Sequence, residues 1–463
     1  ATSPLTALEI FCADSSNDAE SPNDVPEDSF VLHELFPSLT SLVFDSQPDD
    51  MSVADQVTLP QLEVFAGAFG DSHPMSNLKH FFWTHGPGTL SNDLGCRLSA
   101  LSDPRGKASL ETLCSSDSAL ANAFLENVKR DNALRHLDVD IRTGTGLTAG
   151  ALNAALPSAE IVTFRRVPLV PNARRFFREL RCLRSLTLWL VSGTNSDEDV
   201  WRSLAEAAHL ESLTAVGCVD LPPITAAVVP PANLPMLQRV EFFQSCDMLQ
   251  SDGAWSFLWG LPALTVFEVG VAATTMAASC RALSALPPAS ALAPRSLRGL
   301  RLQEHPVDHP SGEQYAANLA RLTSLRSLSL DGCSRMDGTC LAALPRPELL
   351  LRLELSQPSP RTRPVDVVGY LCGMNQLRTL DFHGFAAADD AAPILEPLTL
   401  ACPRLRHVGI GNPVVNGVTV SVTVAVDNTV ERVKVWRREP QEERVWERVS
   451  TPLARAVQAH EQP

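Results

Sequence analysis

The sequence predicts an α/β solenoid, with a curved, mainly parallel sheet on a concave face, helices on the convex face and an antiparallel β-hairpin cap at the C-terminal end. Three observations predict it. An apolar frame, L1-x-x-L4-x-L6, recurs at a nearly constant interval. Segments of helical character lie between successive frames. Beyond residue 412 the pattern changes to strict alternation of valines.

The frame is plainest in "LTSLRSLSLDGC" (322–333), where Leu325, Leu328 and Leu330 occupy L1, L4 and L6. Alternation at L4 and L6 marks a strand with one buried face. Copies begin at Leu110, Leu134, Ala159, Leu183, Leu210, Leu237, Leu264, Leu297, Leu325, Leu350, Leu377 and Leu405, at intervals of 24 to 33 residues. A single LxxLxL carries no information. A long series at one spacing does, because each unit is too small to bury its own leucines and must share a core with its neighbours.

Taken in order, residues 1–109 form irregular first repeats, with frames at Leu5, Leu39, Leu62 and Leu78 separated by 34, 23 and 16 residues. Within them, "ADSSNDAESPNDVPEDS" (13–29) holds six acids and almost no bulky apolar residue, which reads as a solvated insertion. Residues 110–412 are the regular repeats. Helices are expected between their strands at 196–210, where Ser196 is an N-cap candidate, and at 312–322. Residues 413–449 form the cap. Val418, Val420, Val422, Val424 and Val426 lead into Asp427-Asn428, followed by Val430, Val433 and Val435, with a further strand at Val445-Trp446. A short tail, 450–463, completes one continuous solenoid. No comparable cap precedes Leu5, so an upstream segment or a partner is expected to cover that edge.

Repeat length and frame resemble the leucine-rich repeat superfamily. The irregular early repeats, "LPQLEVFAGAF" followed closely by "LKHFFWT", and the closing "VKVWRREPQEERVWERV" look like the large fungal families of F-box leucine-rich-repeat proteins. That resemblance implies an F-box ahead of the repeats, which docks to a ubiquitin ligase adaptor while the repeats hold the substrate. No F-box-like segment is visible in this chain.

Composition narrows the function. A formal charge of -15 argues against phosphate-backbone binding, which needs clustered Lys and Arg, so no nucleic-acid partner is expected. No apolar run long enough to span a bilayer and no signal core are present, so no membrane partner is expected and the compartment is read as cytoplasmic or nuclear. Eleven cysteines, scattered singly with no CxxC pair, suit buried thiols in a reducing compartment rather than a disulfide framework.

With L1, L4 and L6 buried, x3, x5 and the residue after L6 face the concave surface. The x5 column then reads Asp138, Thr163, Thr187, Thr214, Glu241, Glu268, Arg301, Ser329, Glu354, Asp381 and Gly409. Arg239, Phe243, Gln303, Asp331, Arg352, His383 and His407 flank it. The candidate partner-binding residues are therefore Arg239, Glu241, Phe243, Glu268, Arg301, Asp331, Arg352, Glu354, Asp381 and His383. Arg301 beside Glu268 and Arg352 beside Glu354 would otherwise be a self-neutralising solvated wall, and neighbouring Glu354 and Asp381 would receive a ligand's Arg or Lys. The arginines at x2, Arg135, Arg184, Arg298, Arg326, Arg378 and Arg406, read as a solubilising habit of the repeat.

Catalytic signals are weak. "GTGLTAG" (144–150) imitates a phosphate loop, but its spacing is GxGxxxG, and Arg165 and Arg166 stand where a ribose-binding acid is wanted. "HPVDH" (305–309) is flanked by prolines that forbid a helical i, i+4 pair of ligands. Cys333 and Cys218 stand three residues after L6, where the resembled family uses Asn or Cys to bond the backbone of the turn. No catalytic residue, metal or cofactor is expected. The leading expectation is a non-enzymatic scaffold that recognises a protein on its concave face, in the manner of a ubiquitin ligase substrate receptor. A structural subunit docking through its N-terminal edge, and an enzyme or ligand-binding protein on a repeat frame, are the alternatives.

Overall fold

The computed structural model describes residues 7–10, 41–44, 64–66, 79–83, 91–102, 110–141, 146–168, 173–192, 199–243, 252–270, 296–303, 316–317, 319–331, 339–356, 369–371, 373–383, 402–415, 418–426, 431–437 and 443–447. The chain divides into two compact units, Ala1–Pro222 and Pro223–Pro463. The acidic stretch at 13–29, Ser196, "HPVDH", Cys333 and the tail at 450–463 lie outside the described residues.

In the first unit the strands are β1 (Ala7–Ile10), β2 (Ser41–Phe44), β3 (Val64–Ala66), β4 (His80–Trp83), β5 (Thr112–Ser115), β6 (His136–Asp140), β7 (Ile161–Arg165), β8 (Ser185–Trp189) and β9 (Ser212–Val216). Each pairs in parallel with the next in sequence. In the second unit β10 (Arg239–Phe243), β11 (Val266–Gly270), β12 (Gly299–Gln303), β13 (Ser327–Asp331), β14 (Arg352–Ser356), β15 (Thr379–His383) and β16 (His407–Val415) do the same. From β16 the pairing changes sense. It runs antiparallel to β17 (Val418–Val426), which pairs antiparallel with β18 (Glu431–Arg437), and β18 with β19 (Glu443–Glu447).

The frame explains the ladder. L4 faces L4 and L6 faces L6 across every parallel pair of the regular repeats, as in Leu328↔Leu353↔Leu380 and Leu330↔Leu355↔Phe382. Leu300, Leu328, Leu353 and Leu380 are each at most 2% exposed. A buried leucine contributes about 1.5–3 kcal/mol, and only adjacent repeats can cover it.

Two backbone devices recur with the frame. At x2 a single carbonyl accepts two successive N–H groups of the following repeat: Glu111 takes those of Arg135 and His136 (2.8 and 2.9 Å), and Arg298 takes those of Arg326 and Ser327 (2.7 and 2.9 Å). Ahead of L1 the chain makes a tight turn, the L1 N–H donating to the residue three places earlier, as in Leu183 to Leu180 and Leu377 to Met374 (3.3 and 3.0 Å).

Between strands the first unit holds α1 (Ser91–Leu101), α2 (Ser118–Asn127), α3 (Ala173–Glu179) and α4 (Asp199–Leu204), and the second holds α5 (Asp252–Gly260) and α6 (Thr339–Ala342). Asp117 caps α2, its carboxylate accepting from the N–H groups of Ala119 (2.8 Å) and Leu120 (3.3 Å). Gly95 lets α1 lie against α2, since a Cβ there would stand 2.6 Å from that of Ala123. Several connections are shorter than the sequence suggests. In 196–210 the helix ends at Leu204, after which the chain must turn, Ala207 N–H to Leu204 and Leu210 N–H to Ala207, to start β9. In 312–322 Ala316, Ala317 and Leu319 are helical, and Ala151–Asn153 after the "GTGLTAG" stretch is one 3-10 turn. Among the described residues no helix is long and apolar enough to cross a membrane.

Asn132, 3% exposed, ties two repeats together. Its Nδ2 donates to the carbonyls of Lys129 (2.7 Å) and Ala155 (2.9 Å), and its Oδ1 accepts from Leu134 N–H (3.2 Å). Asn132→Ala strands the buried Leu134 N–H and removes the tie to Ala155, and is expected to lower unfolding free energy by roughly 1–2 kcal/mol in denaturant titration.

Candidate functional site

The second unit brings the expected x5 residues into one lateral row: Glu241↔Glu268↔Arg301↔Ser329↔Glu354↔Asp381↔Gly409. Exposure alternates along β10, with Val240 and Phe242 buried and Glu241 and Phe243 half-buried. The row therefore lies on the face opposite the leucine core. Arg239 and Arg352 occupy the x3 row, and Asp331 and His383 the row after L6, opposite Gln303 and Ser356 respectively. The side chains of Asp331 and His383 lie outside the described residues.

The charges are distributed differently from simple neighbour pairing. Arg239 binds Glu241 on its own strand at 2.7 Å. Arg352 stands 3.5 Å from Glu354 and 3.9 Å from Asp381, so the two acids expected to receive a ligand cation already share one guanidinium. Arg301 sits between Glu268 and Ser329, and its guanidinium carbon is 5.8 Å from the centre of the Phe243 ring two strands away. Gly270, in register with Phe243, adds no side chain between them.

Two features mark the middle of the row. Burial, reinforced by the neighbouring Glu241 carboxylate, raises the Glu268 pKa despite the opposing pull of Arg301, Arg239 and Arg352. Ser329 is only 5% exposed, and both its hydroxyl and the adjacent Arg301 Nε are buried without a hydrogen-bond partner. The expected open wall is thus indented at Ser329, where a small side chain stands between longer ones.

Other expectations resolve at the atomic level. Cys218, 3% exposed, donates its thiol to the Leu188 carbonyl at 3.4 Å, a bond to the preceding repeat. The x2 arginines of the first unit do more than solubilise. Along Glu111, Arg135, Glu160, Arg184 and Glu211 the sign alternates, and Glu160 lies 3.9 Å from Arg135 and 3.7 Å from Arg184, which is itself 3.2 Å from Glu211. The alternation is readable in the sequence once the acids at x2 are counted with the arginines.

A second constellation escaped the sequence reading. On the corresponding face of the first unit, Cys114 of β5 is in register with Asp138 of β6, and His136 lies two residues before Asp138. One ligand atom from each of the three lies within 4.8 Å of the others. Arg165 holds Asp138 at 3.0 Å, and His80 Nδ1 stands 2.9 Å from Thr112 Oγ1 in the row of His136. The signal was present, since Cys114 is the x5 residue immediately before Asp138.

No known family model matches the chain, and a comparison with characterised proteins finds no match.

Because the folded chain raises the Glu268 pKa above its ordinary 4.5, folding favours the protonated form. The associated stability is present below the ordinary glutamate range and is lost as pH rises through the raised value. Glu268→Gln, which mimics the neutral acid, is expected to stabilise the chain by about 0.5 kcal/mol at pH 7, kept small by solvent screening, with the gain vanishing below pH ~4. Thermal melts at the two pH values measure it.

Proposed function

We propose that the chain is a non-enzymatic protein-recognition scaffold, and that the row from Glu241 to Asp381 holds an extended, basic segment of a partner. The observation that carries this reading is the unbalanced row itself. Four carboxylates, Glu241, Glu268, Glu354 and Asp381, stand with three guanidiniums, Arg239, Arg301 and Arg352, around a buried hydroxyl and guanidinium nitrogen with no partner. Unsatisfied buried donors cost free energy, and like charges side by side across a ladder are destabilising. A peptide relieves the crowding of like charges, its Arg or Lys reaching the acids beside the indentation at Ser329. Exchanging Arg352 for a ligand cation costs little, because its side chain is 53% exposed and such pairs contribute about 0–1 kcal/mol.

The repeat frame's resemblance to leucine-rich repeat proteins, and of the chain's ends to F-box members, supports a substrate receptor for a ubiquitin ligase as the specific version. On this reading the antiparallel strands after β16 serve as the cap of the repeat stack. A structural subunit of a larger assembly is the second reading. It is favoured by large apolar residues left exposed in the first unit, the adjacent Trp189 (46%) and Leu190 (44%), and also Ile161 (42%) and Val219 (51%).

Probing a peptide array with the full chain is expected to select Arg- and Lys-rich segments, with binding that weakens as salt rises. Joint substitution of Glu354→Lys and Asp381→Lys is expected to reduce their affinity at least about 100-fold, two lost charge-assisted contacts becoming repulsions. Unchanged affinity would place the contact elsewhere.

A further inference from the structure

We propose that Cys114, His136 and Asp138 form a binding site for one divalent ion of the zinc class on the first unit. The donor set is a thiol sulfur, an imidazole nitrogen and a carboxylate oxygen, the combination that suits a borderline-soft ion and not magnesium or calcium. Three protein donors leave a fourth position for water or another ligand.

The placement is set by the sheet and not by a loop. Cys114 faces Asp138 across the β5–β6 ladder, and His136 faces Thr112 one pleat away, so backbone register fixes the triangle. The three donor atoms lie within 4.8 Å of one another, and all three residues are half-buried. In a tetrahedral zinc shell such atoms stand about 3.3–3.8 Å apart, so closure needs a movement of roughly 1 Å by side-chain rotation. Arg165 takes Asp138 Oδ2 at 3.0 Å and leaves the other carboxylate oxygen for the ion, the kind of supporting hydrogen bond that orients metal-ligating carboxylates.

The same three residue types suggest a thiol nucleophile with a histidine base, and the electrostatics oppose it. Burial, then the Asp138 carboxylate, push the Cys114 thiol up to about 12, against the pull of Arg165, so it is protonated at neutral pH. Burial lowers the His136 pKa and raises that of Asp138, the latter against the pull of Arg165 and His136. A dication reverses this balance. It meets an imidazole lone pair and the Asp138 carboxylate, and replaces the thiol proton, which leaves to solvent as the sulfur–metal bond forms.

The test uses the full chain stripped with chelator and titrated with cobalt(II) as the spectroscopic probe. Expected are one ion bound per chain, a near-ultraviolet thiolate-to-cobalt charge-transfer band, release of about one thiol proton per ion, and loss of the band on adding zinc. Cys114→Ser should abolish the band while far-ultraviolet circular dichroism stays unchanged. His136→Ala and Asp138→Asn should each weaken cobalt affinity at least about tenfold. Absence of the band in the unsubstituted chain, or its persistence in Cys114→Ser, overturns the proposal. If Cys114→Ser fails to fold, the other two variants decide, and unchanged affinity in both overturns it.

Discussion

A repeat of this length cannot bury its own leucines, and that incapacity organises everything else. Leu328 and Leu330 of β13 are covered because Leu300 and Leu302 lie on one side of them and Leu353 and Leu355 on the other. Sliding one strand by a single residue would turn its leucines to solvent and its polar residues to the core. Register is therefore uniform, L4 on L4 and L6 on L6, and every x3 and x5 residue is carried into a lateral row about 4.8 Å from its counterpart. The rows are a by-product of the core.

Once rows exist, each charge has two obligatory neighbours, and the units resolve this in opposite ways. Along x2 of the first unit the signs alternate from Glu111 to Glu211, and Glu160 and Glu211 each meet an arginine. Along x5 of the second unit Glu241 lies beside Glu268, and Glu354 beside Asp381. The guanidiniums that compensate come from the adjacent row or from across the ladder, and Glu268 retains a raised pKa. Stability alone favours alternation, as at x2. Holding four acids, a partnerless hydroxyl and a partnerless guanidinium nitrogen in one row is a cost that the repeat core does not require.

What the sequence made legible follows the same division. The period-2 strands, their parallel order and the membership of each row depend only on the frame, and the frame is a count of residues. Thus Glu241, Glu268, Arg301, Glu354 and Asp381 could be assigned to one row from their numbers alone. Depth and side-chain direction were not legible, because they depend on what stands beside each residue. Ser329 is buried because its neighbours are an arginine and a glutamate. Arg352 reaches Asp381 as well as Glu354 because a guanidinium spans two positions. Helix length was misjudged at 196–210, where apolar spacing continues past Leu204 but the tight turn ahead of Leu210 claims those residues.

The Cys114, His136 and Asp138 cluster shows why a local search for ligands misses such a site. Metal motifs in compact folds place two donors within a few residues on one turn, so spacing in sequence reports spacing in space. In a ladder of repeats the relevant distance is the position within the frame, not the separation along the chain. Cys114 and Asp138 are a full repeat apart in sequence and directly opposed in register. His136 and Asp138 are two apart and share a face because a strand alternates. Aligning the repeats by frame and reading down the columns turns this into a short-range pattern: thiol above carboxylate at x5, imidazole at x3. The same operation that found the acidic row in the second unit finds this one, provided the column begins one repeat earlier.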